Sequence, residues 1–414
     1  MTTKTPSRFG PVLVATMILT TVAASQDPEP PRITGTTIRV IDESLEVRNG
    51  DPVRIEESRV LVFDGAPGLP TIIPTEELVA IVTGPVTSRS TYLSDRKSAA
   101  RAGDDAPIAV PYLELVDGQR FPGTLRPGTD GDPVWRSAWV KDLRFDLDRI
   151  SKLKLSEDDQ VVPTAVDADV VVLSNGDRIE GLVMEIGMNV EIEVDRPDGD
   201  TGSVTIPIDR VASISLVNPM EPASGSMTWL RGGHRIRSES VRIVGDGYIS
   251  LMSPLVGGDT AEIPLDFLVA TVVDADRVIP LASRKVVSLE PGPAGEIRPW
   301  IPEPTPLPGH HAFDAPPIRM DGPLRVRFDL PSRGGRLAMT LERPMEIGAG
   351  RLVFRILDDG RVVHSVIVDE DEPVHRIVVD FESDRLGMEI DPSDDGPFHD
   401  SIVLREAIIV RPPE

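Results

Sequence analysis

The apolar residues of this chain fall in short runs with a period of two, separated by Gly, Asp and Pro. That spacing predicts β-strands with one buried face. The stretch VVLSNGDRIEGLVMEIGMNVEIEV, Val171–Val194, holds the pattern: an apolar run, an Asn-Gly-Asp turn, a second glycine, then alternation at Val190, Ile192 and Val194. From His310 the alternation is cleaner still. It places Leu324, Val326, Phe328 and Leu330 on one face, then Leu337, Met339 and Leu341, then Leu352, Phe354 and Ile356, then Leu386, Met388 and Ile390. Antiparallel strands of this kind predict a β-sandwich, with Asp359-Gly360 as a hairpin turn. Only Ser90–Gly103 reads as a short helix, and it reads equally as a linker.

Two short patterns repeat. FDLDRISKL (Phe145–Leu153), IPIDRVASI (Ile206–Ile214), IPLDFLVAT (Ile263–Thr271) and IPTEELVAI (Ile73–Ile81) each carry an apolar residue, an acidic turn and further apolar positions. Upstream of three of them, LVDGQRFPG (Leu115–Gly123), LSNGDRIEG (Leu173–Gly181) and LRGGHRIRS (Leu230–Ser238) superpose without gaps. The first unit lacks this opening. A recurring period of this size is the mark of a repeat architecture. The motifs resemble the Sm-like or SH3-like barrel, in which Leu-x-x-Gly-x-x-x-x-Gly opens a sharply bent strand and a short turn leads into the last one. That resemblance implies small five-stranded barrels in tandem; a generic β-repeat is the alternative.

Composition narrows the function. Forty-three basic against 67 acidic residues give a formal charge of −24, which disfavours a phosphate backbone, so no nucleic-acid partner is expected. No cysteine is present, which removes disulfides, thiolate metal sites and a lipidated N-terminal Cys. Residues 1–25 read as a secretory signal, with Lys4 and Arg8 ahead of the apolar run Gly10–Ala24 and small residues at Val22-Ala23-Ala24. The run is shorter than the roughly 20 residues of a spanning helix, so the reading is an exported, periplasmic or extracellular protein with no stable membrane span after cleavage. Cleavage would take the charge to about −26.

The last quarter resembles the NPCBM-type module, a galactose-binding-like jelly-roll found in exported bacterial proteins. The resemblance lies in GHHAF (Gly309–Phe313), FDLPSRGG (Phe328–Gly335), GRLVFRILDDGRVVHS (Gly350–Ser365), DRLGMEIDPSDDG (Asp384–Gly396) and DSIVLREA (Asp400–Ala407). In the closing motif Asp400 and Ala407 agree and Glu406 keeps the charge, while Ser401, Val403 and Leu404 replace the family's His, Asp and Trp. The resemblance implies a carbohydrate site built from Phe398, His399, Asp400, Arg405 and Glu406. It also implies a structural calcium, for which Asp391, Asp394, Asp395 and Asp400 are the candidate ligands; a solvated acidic turn is the alternative. Against sugar binding stands the absence of Trp and Tyr beyond His310, which leaves Phe398 as the one candidate platform.

The expected organisation is therefore all-β. A signal (1–25) precedes repeats at 33–84, 108–156, 168–217 and 226–289, with a linker at 85–107. A Pro-rich linker (290–309) leads to the sandwich (310–414). No catalytic constellation is legible: the six histidines are scattered and no nucleophile elbow appears. Asp195–Gly202 is a weaker cation candidate, better read as a polar loop. Trp135 and Trp139 pack in a core or form an exposed recognition pair. The reading is a non-catalytic binding or assembly protein, whose partner is a glycan or cell-wall polysaccharide. The alternatives are a protein-interaction protein of the envelope and a polysaccharide-acting enzyme.

Overall fold

The computed structural model describes residues 37–45, 47–50, 53–55, 59–62, 70–84, 110–128, 133–144, 146–157, 162–195, 199–221, 224–244, 247–255, 260–291, 303–306, 311–344, 351–392 and 400–412. The signal segment, the Ser90–Gly103 stretch and most of the Pro-rich linker lie outside them. The described chain is β-strand joined by turns and short 3-10 turns.

Each repeat folds the same way. In the third, Asp169–Leu173 pairs with Arg178–Ile186, which pairs with Asn189–Asp195, which pairs with Thr201–Pro207. A 3-10 turn, Ile208–Arg210, then leads to Val211–Ser215, which returns to pair with the first strand. The spatial order is 5-1-2-3-4. The second repeat has the same order in Tyr112–Leu115, Arg120–Pro127, Pro133–Ser137, Leu143–Arg144 and Ile150–Lys154. The acidic end motif is the 3-10 turn itself: Thr75–Glu77, Leu147–Arg149, Ile208–Arg210 and Leu265–Phe267. In two copies the proline before it, Pro207 or Pro264, sits at φ −57°, the value its ring imposes.

The glycines of the opening motif have two jobs. Gly118, Gly176 and Gly232 take positive φ in the turn between the first two strands, where a Cβ would be strained. Gly123 and Gly181 lie where the second strand bends against the third: a Cβ there would overlap the carbonyl oxygen of Arg136 or Glu193. The fourth repeat has Ser238 at this position, and its second strand is split into His234–Ser238 and Ser240–Val244. Without glycine the strand breaks instead of bending.

Closed barrels were expected. Among the described residues no pairing closes a five-stranded ring; the units join one another instead. The last strands of repeats two and three pair, with Leu153 opposite Ile214. Those of repeats one and four pair, with Thr271 opposite Ile81. Repeats two and four meet where Arg235 stands opposite Arg120. The buried Glu114 accepts from Arg120 at 2.9 Å and lies 3.5 Å from Arg235, offsetting two like charges that would repel across the ladder. The repeats thus lie side by side in the order three, two, four, one.

The sandwich follows the alternation read from the sequence. One sheet orders Thr305–Pro306, Ile318–Asp321, Ser401–Val410, Gly335–Glu342 and Val374–Phe381; the other orders Val286–Pro291, Leu324–Asp329, Arg385–Pro392, Leu352–Asp358 and Arg361–Val368. Leu324, Val326, Phe328, Leu352, Phe354, Met388 and Ile390 fill the core between them. The sandwich begins earlier than residue 310: Val278–Pro280 and residues 286–289, read as the fourth repeat, and residues 290–291, read as linker, pair with Ser401–Val410 and Leu324–Asp329. Their apolar runs serve either domain equally well, and only the pairing partner decides.

The sandwich is docked onto repeats one and four. Val82, Ala80, Ala270 and Val272 from the paired last strands pack with Phe313, Ala338, Ile408 and Val410. Small side chains at Ala80, Ala270 and Ala338 bring the sheets close. Arg277 donates to Glu43 at 3.0 Å and to the Arg411 carbonyl at 3.1 Å. Substituting Gly181→Ala forces the third strand to shift, and is expected to cost about 1–3 kcal/mol of stability, measured as a lowered denaturation midpoint. Alanine at Gly176 meets open space and pays only the positive-φ penalty, so the smaller loss is expected there.

Candidate functional site

Of the residues offered for sugar binding, Asp400, Arg405 and Glu406 are described, and each is engaged by a different neighbour. Phe398, His399, Asp394 and Asp395 lie outside the described residues. Asp400 is buried at the foot of the closing strand, where its carbonyl accepts from Gly322 N–H at 2.8 Å. Arg405 donates to Glu342 on the neighbouring strand. Glu406 faces the repeats, where Arg39 grips it with two bonds of 2.9 and 2.6 Å. Glu406 is a bulge residue with φ +49°, beside a register shift in the pairing of its strand. Burial pushes its carboxyl up, but the Arg39 fork, with Arg376 and Arg405 nearby, outweighs burial and holds it below the usual range. Glu406 is thus an anchor between modules, with both its carboxylate oxygens bonded to Arg39. Sequence reading missed Arg39, since nothing local marks an arginine whose partner lies 367 positions away.

Asp391 is likewise engaged: Arg355 donates to it at 2.8 Å and to Glu389 at 2.5 Å. Among the described residues, no group of three His, Cys, Asp or Glu side chains could hold a metal ion. Of the four residues offered as calcium ligands, Asp391 and Asp400 are described and Asp394 and Asp395 lie outside the described residues.

The outer face of the sandwich's second sheet carries a charged row. A cross-strand row runs Glu290, Arg325, Glu389, Arg355, Ser365. Glu389 is almost fully buried beneath Arg325 and Arg355, with Arg325 Nε at 2.7 Å. Period-two alternation puts these side chains opposite the core. The row presents guanidinium planes held in place by a carboxylate, with Arg325 itself 42% exposed. Such groups donate to hydroxyls, carboxylates and phosphates alike.

Four features lie in the repeats. Trp135 is core, its indole N–H donating to the Phe121 carbonyl at 2.8 Å. Trp139 meets Phe267 edge-on at 5.2 Å, across repeats two and four. Beside them Ser137 Oγ stands 3.0 Å from His234 Nε2 and donates to the Pro122 carbonyl at 2.6 Å, a structural use of the hydroxyl. A cleft of ≈ 640 Å³ at repeats two and three is lined by Asp148, Asp167, Asp169, Glu180, Glu193 and Asp195. Asp169 is committed there, accepting from Val183 and Val217 N–H at 2.8 and 2.7 Å.

No protein-family model matches the chain, and no curated protein matches it. Solved structures similar to it include the CBM51-2 and INT domains of Clostridium perfringens ZmpB in complex with GlcNAc (16% identity, 43% of this chain and 42% of that one, TM-score 0.26). Others are CBM51 from Clostridium perfringens GH95 in complex with methyl-galactose (13%, 32% and 99%, 0.25) and the tandem CBM51 modules of the family 98 glycoside hydrolase Sp3GH98 from Streptococcus pneumoniae (11%, 59% and 88%, 0.25). The chain spans less than half of the first of these. At such TM-scores the likeness assigns nothing to this chain.

Two outcomes are expected. In a double-mutant cycle, Arg39→Ala and Glu406→Gln should couple by about 1–2 kcal/mol in denaturant unfolding; additive effects would show the pair to be idle. Burial holds His234 down to about 4, below the ordinary 6.5. The unfolded chain then binds the extra proton first as pH falls. His234 should therefore contribute stability that is full above pH 6.5 and drains between 6.5 and about 4, by something of the order of 3 kcal/mol. Comparison of stability against pH for the parent and His234→Asn isolates it from the carboxylates: the parent should have the steeper slope.

Proposed function

We propose that this protein is a non-catalytic, exported binding and assembly protein, in which the row of repeats carries the sandwich and the sandwich binds glycan on its open sheet face. The observation that carries this reading is the direction of docking. The sandwich turns the outer face of one sheet toward repeats one and four and leaves the Arg325–Glu389–Arg355 row of the other at the surface. Preset guanidinium donors suit a hydroxyl-rich or acidic polysaccharide. The signal-like N-terminus supports export.

A second reading is favoured by one specific observation. Glu406, which the family resemblance would give to sugar, is held by Arg39, and no Trp or Tyr lies beyond His310. On that reading the sandwich is a rigid joint and the ligand is another envelope protein. The test is a glycan array and cell-wall pull-down with residues 26–414, followed by Arg325→Ala and Arg355→Ala. Loss of glycan binding by about tenfold or more in either variant is expected. Silence on every glycan, with a specific protein recovered instead, would move the assignment to the second reading.

A further inference from the structure

The fourth strand of repeat three lies at the edge of the large sheet. Among the described residues, Thr201–Pro207 pairs with Asn189–Asp195 on one edge and with no strand on the other. Its polar groups can be placed. Ile208 N–H donates to the Met188 carbonyl at 3.0 Å, and the register runs from there without a bulge, Val190 opposite Ile206 and Ile192 opposite Val204. Backbone groups alternate in direction along a strand. Ile206, Val204 and Gly202 therefore bond inward, and the N–H and C=O groups of Thr201, Ser203 and Thr205 point away from the sheet.

Natural edge strands are guarded by lysine, inward charge, bulges or proline. This one has no charged residue and no bulge, and its single proline comes at the end. The side chains on the same face are one-signed. Glu191, Glu193 and Asp195 stand directly opposite Thr205, Ser203 and Thr201 and are all exposed. No Lys, Arg or His occurs in either strand. Glu193 and Asp195 also line the acidic cleft, which extends the negative surface beyond the sheet.

We infer that Thr201–Pro207 is a docking edge for an extended basic segment of another protein, which adds to the sheet as a further strand and lays alternate Lys or Arg side chains over Glu191, Glu193 and Asp195. Strand addition supplies the backbone bonds, and side chains at every second position supply selectivity. The units of this chain already join one another by strand pairing. A basic partner follows from the charge: a second copy would bring three more carboxylates to the same face. The site is independent of the sandwich and of whatever ligand that domain takes.

The probe is a labelled peptide of about ten residues alternating Lys and Thr, titrated into the full chain by fluorescence anisotropy. A Glu–Thr peptide of the same length serves as control. The Lys peptide should bind and the Glu peptide should not, with affinity falling steeply as salt rises. Ser203→Pro removes one outward N–H while sparing the inward ladder, and should weaken binding about tenfold or more. Glu191→Gln with Glu193→Gln should weaken binding and flatten its salt dependence. A Lys–Thr peptide N-methylated at alternate residues tests the edge without altering the protein, and one of its two methylation registers should lose binding. Equal binding of both peptides, no binding at all, or indifference to both N-methylation registers would overturn the inference. So would a dimer of the chain that Ser203→Pro dissolves, since that gives the edge to a second copy.

Discussion

The architecture rests on how each repeat uses its last strand. That strand has two edges. One pairs with the first strand of its own unit and the other with the last strand of a neighbour. A small barrel closes by joining its fourth and fifth strands. Here the fifth is occupied on both sides, so among the described residues the fourth lies at the margin in each unit. The same pairing explains why the units come in couples, two with three and one with four; the couples meet at a seam that holds the Glu114 charge cluster, the Trp139–Phe267 contact and the Ser137–His234 contact. It also supplies the platform for the sandwich, because the coupled strands of repeats one and four present Ala80 and Ala270 as a smooth, small-residue surface.

The sandwich pays for its rigid seat with its closing strand. Ser401–Val410 lies at the centre of one sheet, contributes Ile408 and Val410 to the docking surface, and bulges at Glu406 to meet Arg39. A glutamate held at positive φ is strained, and the fork from Arg39 holds it there. Docking thus engages the closing strand over its outer face. The outer face of the other sheet is ordered by Glu389, a buried charge kept by two arginines rather than by solvent.

Much of this was legible in the sequence. The alternating residues of Leu324–Leu330, Leu352–Ile356 and Leu386–Ile390 are the sandwich core, Asp359-Gly360 turns its hairpin with both residues at positive φ, and the acidic end motifs are the 3-10 turns. These are local rules, fixed by a period of two or by a glycine's freedom. What was not legible depends on partners far along the chain. Val278–Pro280 and Val286–Pro291 look like any repeat strand until their pairing is known. Arg39 carries no local sign of Glu406, and Phe267 none of Trp139. The candidate site suffered most for this reason: a motif position says which residue is present, and only tertiary contact says which way its carboxylate is turned.

The side-by-side order of the repeats differs from their order in the chain, and this bears on how the protein is made. Repeats two and three are neighbours in both senses and can couple as soon as the second of them is synthesised. Repeat one cannot. Its last strand waits for Leu268–Val272, with repeats two and three emerging in between. Throughout that interval Ile81 and Val82 belong to an uncovered apolar edge, the kind that sticks to other nascent chains. Assembly of the row of repeats is therefore a loop-closing event governed by its longest-range strand pairing, and conditions that delay the fourth repeat should be felt first in the fate of the first.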